Sequence, residues 1–273
     1  VVVLVVFAIT IIVPVGWAFL ASIKQNSEFY GNPWAFPEGF HYQNFIDAFN
    51  KANMGAYFMN SVIVRALGLA ILLVVALPAA YVLARYRFRG RKILNVAFMA
   101  GLFINVNYIV VPIFLMLVDA NTLVGDTIFT NNLFVVGLIY ASTALPFTIY
   151  LLSGYFATLP KDYEEAAYVD GSSYFRTMVQ IIFPMAKPSI ITVILFNFLS
   201  FWNEYIISMT LLTKDSVKTL PVGLMNLMKA QNAAAQYGQM YAGLVIVMLP
   251  TLILYILVQK KLTQGMTVGG IKG

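Results

Sequence analysis

Six long runs of apolar residues, almost without charge, dominate this 273-residue sequence. The runs cover approximately 1–23, 57–84, 93–118, 131–156, 188–212 and 239–260. A helix needs roughly 20 apolar residues to cross the hydrocarbon core of a bilayer, and each run is close to that length. Only helices and closed barrels satisfy backbone polar groups in lipid, and these runs are too long and unbroken for barrel strands. The sequence therefore predicts an all-α polytopic membrane protein with about six transmembrane helices.

Composition supports the same class of protein. The chain is 60% hydrophobic and 10% charged, whereas a soluble domain carries about 25% charged residues. Neither an internal repeat nor a low-complexity linker divides it, so we predict one transmembrane domain over 1–273. Because the chain opens inside an apolar run without Met, we expect a cytoplasmic leader to precede it.

The distribution of Lys and Arg predicts the orientation in the membrane. Eleven lie in the loops on one side and five on the other, and Arg65 falls within the second run. Cytoplasmic loops carry the excess of positive charge. The basic loop 85–92, the polar loop 159–188 and the tail 261–273 are therefore predicted to be cytoplasmic, in a multi-pass protein of the bacterial plasma membrane. The net charge of +6 reflects this bias better than nucleic-acid binding.

The polar loop 159–188 has the pattern of two short helices joined by a glycine. Asp162 can cap the first helix, with Glu165 three residues later, as in a capping box. Tyr163, Ala166 and Ala167 fall on one face of that helix. Gly171 suits the left-handed turn that ends it. A serine at 172 or 173 can start the second helix, which Pro184 and Pro188 are expected to close.

This loop resembles the EAA loop of the permease subunits of binding-protein-dependent ABC importers. The family pattern reads EAA, three residues, Gly, nine residues, then Ile-x-Leu-Pro, and here Phe183 replaces the Leu. The resemblance implies that the loop docks into a cleft of an ATPase subunit, with a glutamate accepting a hydrogen bond from an ATPase arginine. The residues that it implies for ATPase coupling are Glu164, Glu165, Ala166, Ala167, Gly171, Ile181 and Pro184.

The resemblance extends over nearly the whole chain. Residues 79–91 (AAYVLARYRFRGR) are similar to the second-helix exit of carbohydrate-type permeases, and 265–273 (GMTVGGIKG) to the tail of the maltose-type second permease subunit. It implies a second permease subunit, two ATPase subunits that bind ATP and Mg, an extracellular solute-binding protein and a carbohydrate substrate. For the tail it implies a regulatory contact with the ATPase. The family often has a proline where this chain has Asn105-Val106-Asn107, which leaves the shape of the third span open.

Catalytic machinery is not found in the sequence. There is no G-x-x-x-x-G-K-[ST] phosphate loop, so energy has to come from another subunit or from an ion gradient. The chain has one histidine, His41, and no cysteine, so no histidine pair or thiolate set can hold a metal. We predict no catalytic residue, no metal site and no cofactor in this chain.

Polar residues inside the runs mark a candidate translocation path. Glu204 is the only acid within a predicted span, and Asn197, Ser200 and Glu204 share one helical face, with Asn203 beside them. Polar groups at membrane depth usually face a cavity or a partner. Three roles remain open for Glu204: lining the path, holding two helices together, or relaying protons. Asn105, Asn107 and Tyr108 are weaker candidates for the path. Arg65 is expected to extend toward the outer surface.

The predicted function is that of a permease subunit of a bacterial ABC importer, which forms the path for a carbohydrate and couples it to separate ATPase subunits. The alternative is a stand-alone secondary transporter or channel for a polar solute, in which Glu204 and Arg65 are the charged candidates. An assembly factor or anchor without transport is a third possibility. A requirement for an ATPase partner separates the first function from the other two.

Overall fold

The computed structural model of the protein describes residues 2–51 and 53–270, with side chains throughout except at 258 and 260–270. The described residues are mainly helical and contain no β-strand, which confirms the predicted all-α class. In chain order the helices are α1 (Val2–Ser22), α2 (Gln43–Lys51), α3 (Met54–Arg85), α4 (Arg91–Gly101), α5 (Val106–Val124), α6 (Leu133–Thr158), α7 (Asp162–Val169), α8 (Tyr174–Thr177), α9 (Phe183–Met185), α10 (Lys187–Asn203), α11 (Ile206–Leu211), α12 (Leu220–Ala233) and α13 (Tyr237–Gly270).

Five of the described helices are long and apolar enough to cross a membrane, namely α1, α3, α5, α6 and the Tyr237–Leu257 part of α13. A sixth span arises if the pair Tyr174–Met185 and Lys187–Asn203, bent by 77°, counts as one. The prediction of about six transmembrane helices is confirmed. Their exposed apolar side chains suit a lipid environment, as in α1, where Val2 is 77% exposed.

Two of the predicted runs are not single helices. The run 93–118 is divided into α4 and α5, because Asn105 is extended (φ −81°, ψ 130°) and its side chain accepts a hydrogen bond from the backbone N–H of Asn107. The run 188–212 is divided into α10 and α11 by an extended residue at Glu204. Hydropathy does not detect these breaks, because short polar caps interrupt the helix without lowering the apolar average much.

The chain divides into two compact units. One contains Val1–Ser61 and Lys214–Leu254, and the other Val62–Thr213 and Tyr255–Gly273. The predicted single domain stays a prediction. We call them unit 1 and unit 2, and the candidate site residues lie in unit 2.

In unit 1, buried polar contacts hold the loop between α1 and α2, which is rich in aromatic residues. The fully buried Lys24 donates to the carbonyl of Pro33 (2.8 Å) and lies 4.7 Å from the ring centroid of Trp17. The amide of Asn44 donates to the carbonyls of Ser22 (2.9 Å) and Lys24 (2.8 Å). Buried polar groups are costly unless hydrogen-bonded, so these contacts fix the path of the loop.

Unit 2 brings α3, α6 and α10 together through glycines. A Cβ at Gly68 would lie 3.2 Å from the carbonyl oxygen of Gly137 and 3.3 Å from the ring of Phe201, and one at Gly137 would lie 3.1 Å from Cβ of Leu67. Small residues let membrane helices approach closely. Phe201 also stacks on Tyr140, with ring centroids 5.1 Å apart.

Candidate coupling loop and translocation pathway

Helix α7 forms the first half of the loop 159–188, and its start differs from the prediction. Asp162 is the first residue of the helix and not its cap, because Lys161 precedes it with helical angles (φ −75°, ψ −21°). No side chain caps this end. Asp162, Glu164 and Glu165 instead place three acids in the first turn, where the helix dipole favours negative charge.

The two glutamates of the motif point in opposite directions. Glu164 is buried, and Glu165 is exposed. Ala166 is exposed and Ala167 is buried, so the expected common face of Tyr163, Ala166 and Ala167 is divided between solvent and protein. Only Glu165 of the pair is free to face outward, because Glu164 is committed to contacts within the chain.

Gly171 ends α7 as predicted. Its φ is +75°, a left-handed conformation in which a side chain is strained. The N–H of Ser172 donates to the carbonyl of Ala167 (2.9 Å), which closes the turn. Ser173 then caps α8 by accepting from the N–H of Arg176 (3.4 Å).

The second half of the loop has close to the predicted length. α8 continues through a π-helical turn, Met178–Ile182, into α9, and the bend to α10 falls near Ala186. The second helix therefore ends where Pro184 and Pro188 were predicted to close it: Pro184 lies in its last turn, and Pro188 lies in the first turn of α10. In the π-helical turn Ile181 is partly exposed and Ile182 is buried.

The buried side of α7 is bonded to the end of α3. The carboxylate of Glu164 accepts from the hydroxyl of Tyr81 (2.7 Å) and from Nε of Arg85 (3.1 Å). The hydroxyls of Tyr86 and Tyr168 lie 3.0 Å apart. Burial, followed by the bond to Tyr86, raises the pKa of Tyr168 above its ordinary value. Sequence analysis missed this network, although Tyr81, Arg85 and Tyr86 lie in the segment that carries the family resemblance.

A cavity of about 350 Å³ lies in unit 2, and three of the predicted path residues line it. They are Asn197, Ser200 and Glu204. The amide of Asn197 donates to Thr148 of α6 (3.0 Å) as well as to the carbonyl of Val193. Asn197 therefore also joins two helices. The remaining lining residues are Val106, Tyr140, Thr143, Ala144, Phe147, Phe196, Phe201 and Ile207.

Glu204 closes the break between α10 and α11. Its carboxylate accepts from the backbone N–H groups of Ile207 (2.6 Å) and Ser208 (3.2 Å) and from the hydroxyl of Tyr140 (2.6 Å). Non-helical backbone at membrane depth persists only where its polar groups are satisfied. One side chain thus caps α11, contacts α6 and borders the cavity.

Arg65 does not extend to the outer surface as expected. Its side chain is 1% exposed, donates to the carbonyl of Trp202 (3.1 Å) and lies with its guanidinium carbon 5.0 Å from the ring centroid of Trp202. Glu204 and Tyr140 are close enough to interact with it electrostatically. The carbonyl and the ring of Trp202 give the guanidinium partners inside the protein, so Arg65 does not have to extend to water.

The other predicted path residues lie outside this cavity. Asn203 is exposed, and its amide bonds the carbonyl of Leu199 in its own helix (2.9 Å). Asn105 caps α5, and Asn107 and Tyr108 are exposed, Tyr108 by 82%. Among the described residues, no group of three or more His, Asp or Glu side chains is arranged to hold a metal.

The apolar helices, the polar cavity and the exposed loop define a polytopic membrane protein of the transporter type. Residues 73–268 match the family model described as "binding-protein-dependent transport system inner membrane component". The chain belongs to this family, and the resemblance inferred from the sequence is confirmed.

Individual relatives agree with the family. A diacetylchitobiose uptake system permease protein of Streptomyces coelicolor is 32% identical, and the match covers 97% of this chain and 86% of the relative. A multiple sugar-binding transport system permease protein of Streptococcus mutans is 29% identical, and the match covers 99% of this chain and 95% of the relative. In structure, the chain is similar to one from a bacterial ABC transporter that imports the acidic polysaccharide alginate, with a TM-score of 0.79, 24% identity and coverage of 95% and 93%. That last similarity shows the fold.

The protein is thus a permease subunit of an ABC importer, and ATP hydrolysis belongs to separate subunits. The matches favour this function over a stand-alone secondary transporter or channel. As a permease of this type, it works with further permease, ATPase and substrate-binding components.

Proposed function

We propose that this chain forms part of the translocation path for a carbohydrate. The observation that carries the proposal is the cavity lined by Asn197, Ser200, Glu204 and Tyr140 together with phenylalanine rings. A few convergent polar groups among aromatic walls suit a sugar, whose hydroxyls bond the polar groups while its C–H faces pack on the rings. The names of the relatives, diacetylchitobiose uptake and multiple sugar-binding transport, support the same class of solute.

The complete importer, on this proposal, contains a second, different permease chain, two ATPase subunits that hold ATP and Mg, and an extracellular solute-binding protein. The loop 159–188 lies in the cytoplasm, because Lys and Arg are concentrated on its side of the membrane. The solute is released there after ATP-driven alternating access. Residues 271–273 of the tail lie outside the described residues, and its regulatory role stays a prediction.

The same loop docks on the ATPase. Its outward surface carries large exposed side chains, among them Val169 (88%), Tyr174 (67%) and Phe175 (71%). Several large apolar side chains exposed within one short water-facing loop favour a protein interface. Glu165 and Ala166 lie on the exposed side, and Gly171 sets the turn. In the second half Ile181 is partly exposed and Pro184 is exposed, whereas Glu164 and Ala167 face the protein itself.

The decisive experiment is sugar uptake by proteoliposomes that contain the complete complex, with labelled diacetylchitobiose as the first solute. We expect uptake to require ATP. Glu165→Lys reverses a charge on the docking surface, and Gly171→Pro cannot adopt the positive φ of the turn. Both variants are expected to lose uptake together with co-purification of the ATPase.

Glu38→Lys is the matched control, because it makes the same charge change at an exposed position in the loop 24–56, which the charge bias predicts to lie on the other side of the membrane from the loop 159–188. It should keep the ATPase bound. If the chain alone moved a solute down an ion gradient, with Glu165→Lys and Gly171→Pro without effect, the proposed function would be wrong.

A further inference from the structure

The buried ion pair between Glu164 and Arg85 ties α7 to the end of α3. Their side chains are only 10% and 6% exposed, and Nε of Arg85 lies 3.1 Å from the carboxylate. Exposed ion pairs contribute little, because water and salt screen them. A pair shielded to this degree, with a further bond from the hydroxyl of Tyr81 (2.7 Å), resists separation much more strongly.

Arg85 also holds the chain that leads into α7. Its two terminal nitrogens donate to the carbonyls of Leu159 (2.9 Å) and Pro160 (3.1 Å). One planar guanidinium therefore joins three segments: its own helix α3, the end of α6 and the inner side of α7. Lysine cannot reproduce this arrangement, because its ammonium is a compact point charge without the planar fork of donors.

A second connection runs through tyrosines. The hydroxyl of Tyr86 lies 3.4 Å from that of Tyr81 and 3.0 Å from that of Tyr168 on α7. Tyr174 of α8 packs edge-on against Tyr86 and Tyr168, with centroids 5.9 Å and 5.1 Å apart. Both halves of the loop thus contact the residues around the end of α3.

At its other end in unit 2, the same helix packs against residues that line the cavity. Gly68 packs on Phe201, which lines the cavity, and Arg65 bonds Trp202. Helix α3 is continuous from Arg65 to Arg85, through Pro78, and 20 residues of helix span about 30 Å. A displacement of α7 that is passed to Arg85 therefore reaches the residues around the cavity through one continuous helix.

We propose that Glu164, Arg85 and Tyr81 are positioning residues for energy coupling, which transmit the movement of α7 to helix α3 and so to the cavity. This rests on the proposed function, in which α7 docks on the ATPase. It assigns the two glutamates different tasks: Glu165 faces the ATPase, and Glu164 faces the permease's own helix. Without the contacts of Glu164 with Arg85 and Tyr81, ATP is hydrolysed with less transport, while the ATPase remains bound to the loop.

The test compares Glu164→Gln and Arg85→Gln in the complete importer. The solute is the sugar that the wild-type complex takes up in the experiment above. Three quantities are measured: the ATPase that co-purifies, the rate of ATP hydrolysis and the sugar moved per ATP. We expect normal co-purification and a fall of about 5-fold or more in sugar per ATP, at the lower end of the usual range for coupling between sites. Arg85→Lys should give an amount of sugar per ATP between those of the wild type and Arg85→Gln.

Arg87→Gln is the matched control, since it removes the same charge from an exposed position two residues further on. It should leave sugar per ATP unchanged. If Arg85→Gln yields no complex, Tyr81→Phe decides, because it removes a single hydroxyl. A reduced amount of sugar per ATP in Tyr81→Phe supports the proposal, and an unchanged amount overturns it.

Two results contradict this inference without touching the proposed function. One is an unchanged sugar-to-ATP ratio in Glu164→Gln and Arg85→Gln. The other is loss of co-purification in both, which would place these residues in docking itself. Failure of the proposed function would be seen separately, as wild-type uptake that does not need ATP.

Discussion

At the scale of single residues, Glu204 shows how one partly buried acid serves several neighbours. Sequence analysis left open path lining, helix–helix contact and a proton relay. In the structure its carboxylate bonds the first turn of α11 and the hydroxyl of Tyr140 in α6, while it borders the cavity. Helix–helix contact is confirmed by these bonds, and direct contact with solute stays a prediction.

Glu204→Ala should destabilise the protein, because two backbone N–H groups lose their acceptor and Tyr140 keeps only Ser208 as a partner. Loss of a cap costs about 0.5–2 kcal/mol, which thermal unfolding in detergent detects as a lower midpoint. Glu204→Gln keeps a carbonyl oxygen that accepts a hydrogen bond and should lose less. Asn203→Ala is the control, since that amide bonds only within α10. Equal midpoints for Glu204→Ala and Asn203→Ala would exclude the capping role.

At the scale of elements, the close approach of α3 and α6 positions the cavity. Gly68 and Gly137 remove the side chains that would keep the helices apart. The approach brings Tyr140 of α6 against Phe201 of α10, and both rings line the cavity. The glycines thus act on the site through helix spacing, and Gly68 also lies against Phe201 and Tyr140 of the cavity wall.

Gly137→Leu should separate α3 from α6, because its Cβ alone would lie 3.1 Å from Cβ of Leu67 and 3.3 Å from the backbone nitrogen of Gly68. Overpacking of this kind costs about 1–3 kcal/mol. The expected result is a lower unfolding midpoint in detergent together with slower uptake. Gly154→Leu in the same helix is the matched control, since nothing lies within 4 Å of a Cβ there. Equal unfolding midpoints and uptake rates for Gly137→Leu and Gly154→Leu would show that close packing at Gly137 does not determine stability or transport.

At the scale of the whole molecule, the orientation in the membrane decides what each loop meets. The orientation is predicted from the eleven basic residues on one side against five on the other. The chain has no cysteine, so single cysteines introduced on each side report accessibility without background.

Gly31→Cys and Arg89→Cys test the orientation, because both positions are exposed and lie in loops predicted to be on opposite sides. A membrane-impermeant maleimide should label the first only in intact cells and the second only in inside-out vesicles. The unsubstituted chain gives the blank. The reverse labelling would show that the charge bias had been misread and that the loop 159–188 is extracellular.

Several features of the fold and site could be predicted because they depend only on residues that are close together in the sequence. Gly171 was predicted from its position after a short helix, and its φ of +75° confirms the turn. The face shared by Asn197, Ser200 and Glu204 follows from helical spacing, and the cavity includes all three. The partners of these residues were not predictable, because Tyr140 and Thr148 are distant in the chain and no local pattern records which helix lies opposite.

By itself, the sequence determined the class of protein, the approximate number of spans and the family, because apolar length, composition and a spaced motif are properties of the chain alone. Tertiary structure decided which glutamate of the loop faces inward, where the third and fifth runs break and that Arg65 is buried beside Trp202. The physical reason is the same in each case. A polar group in a membrane protein stays where it finds a partner, and the partner is fixed only when helices distant in sequence pack together.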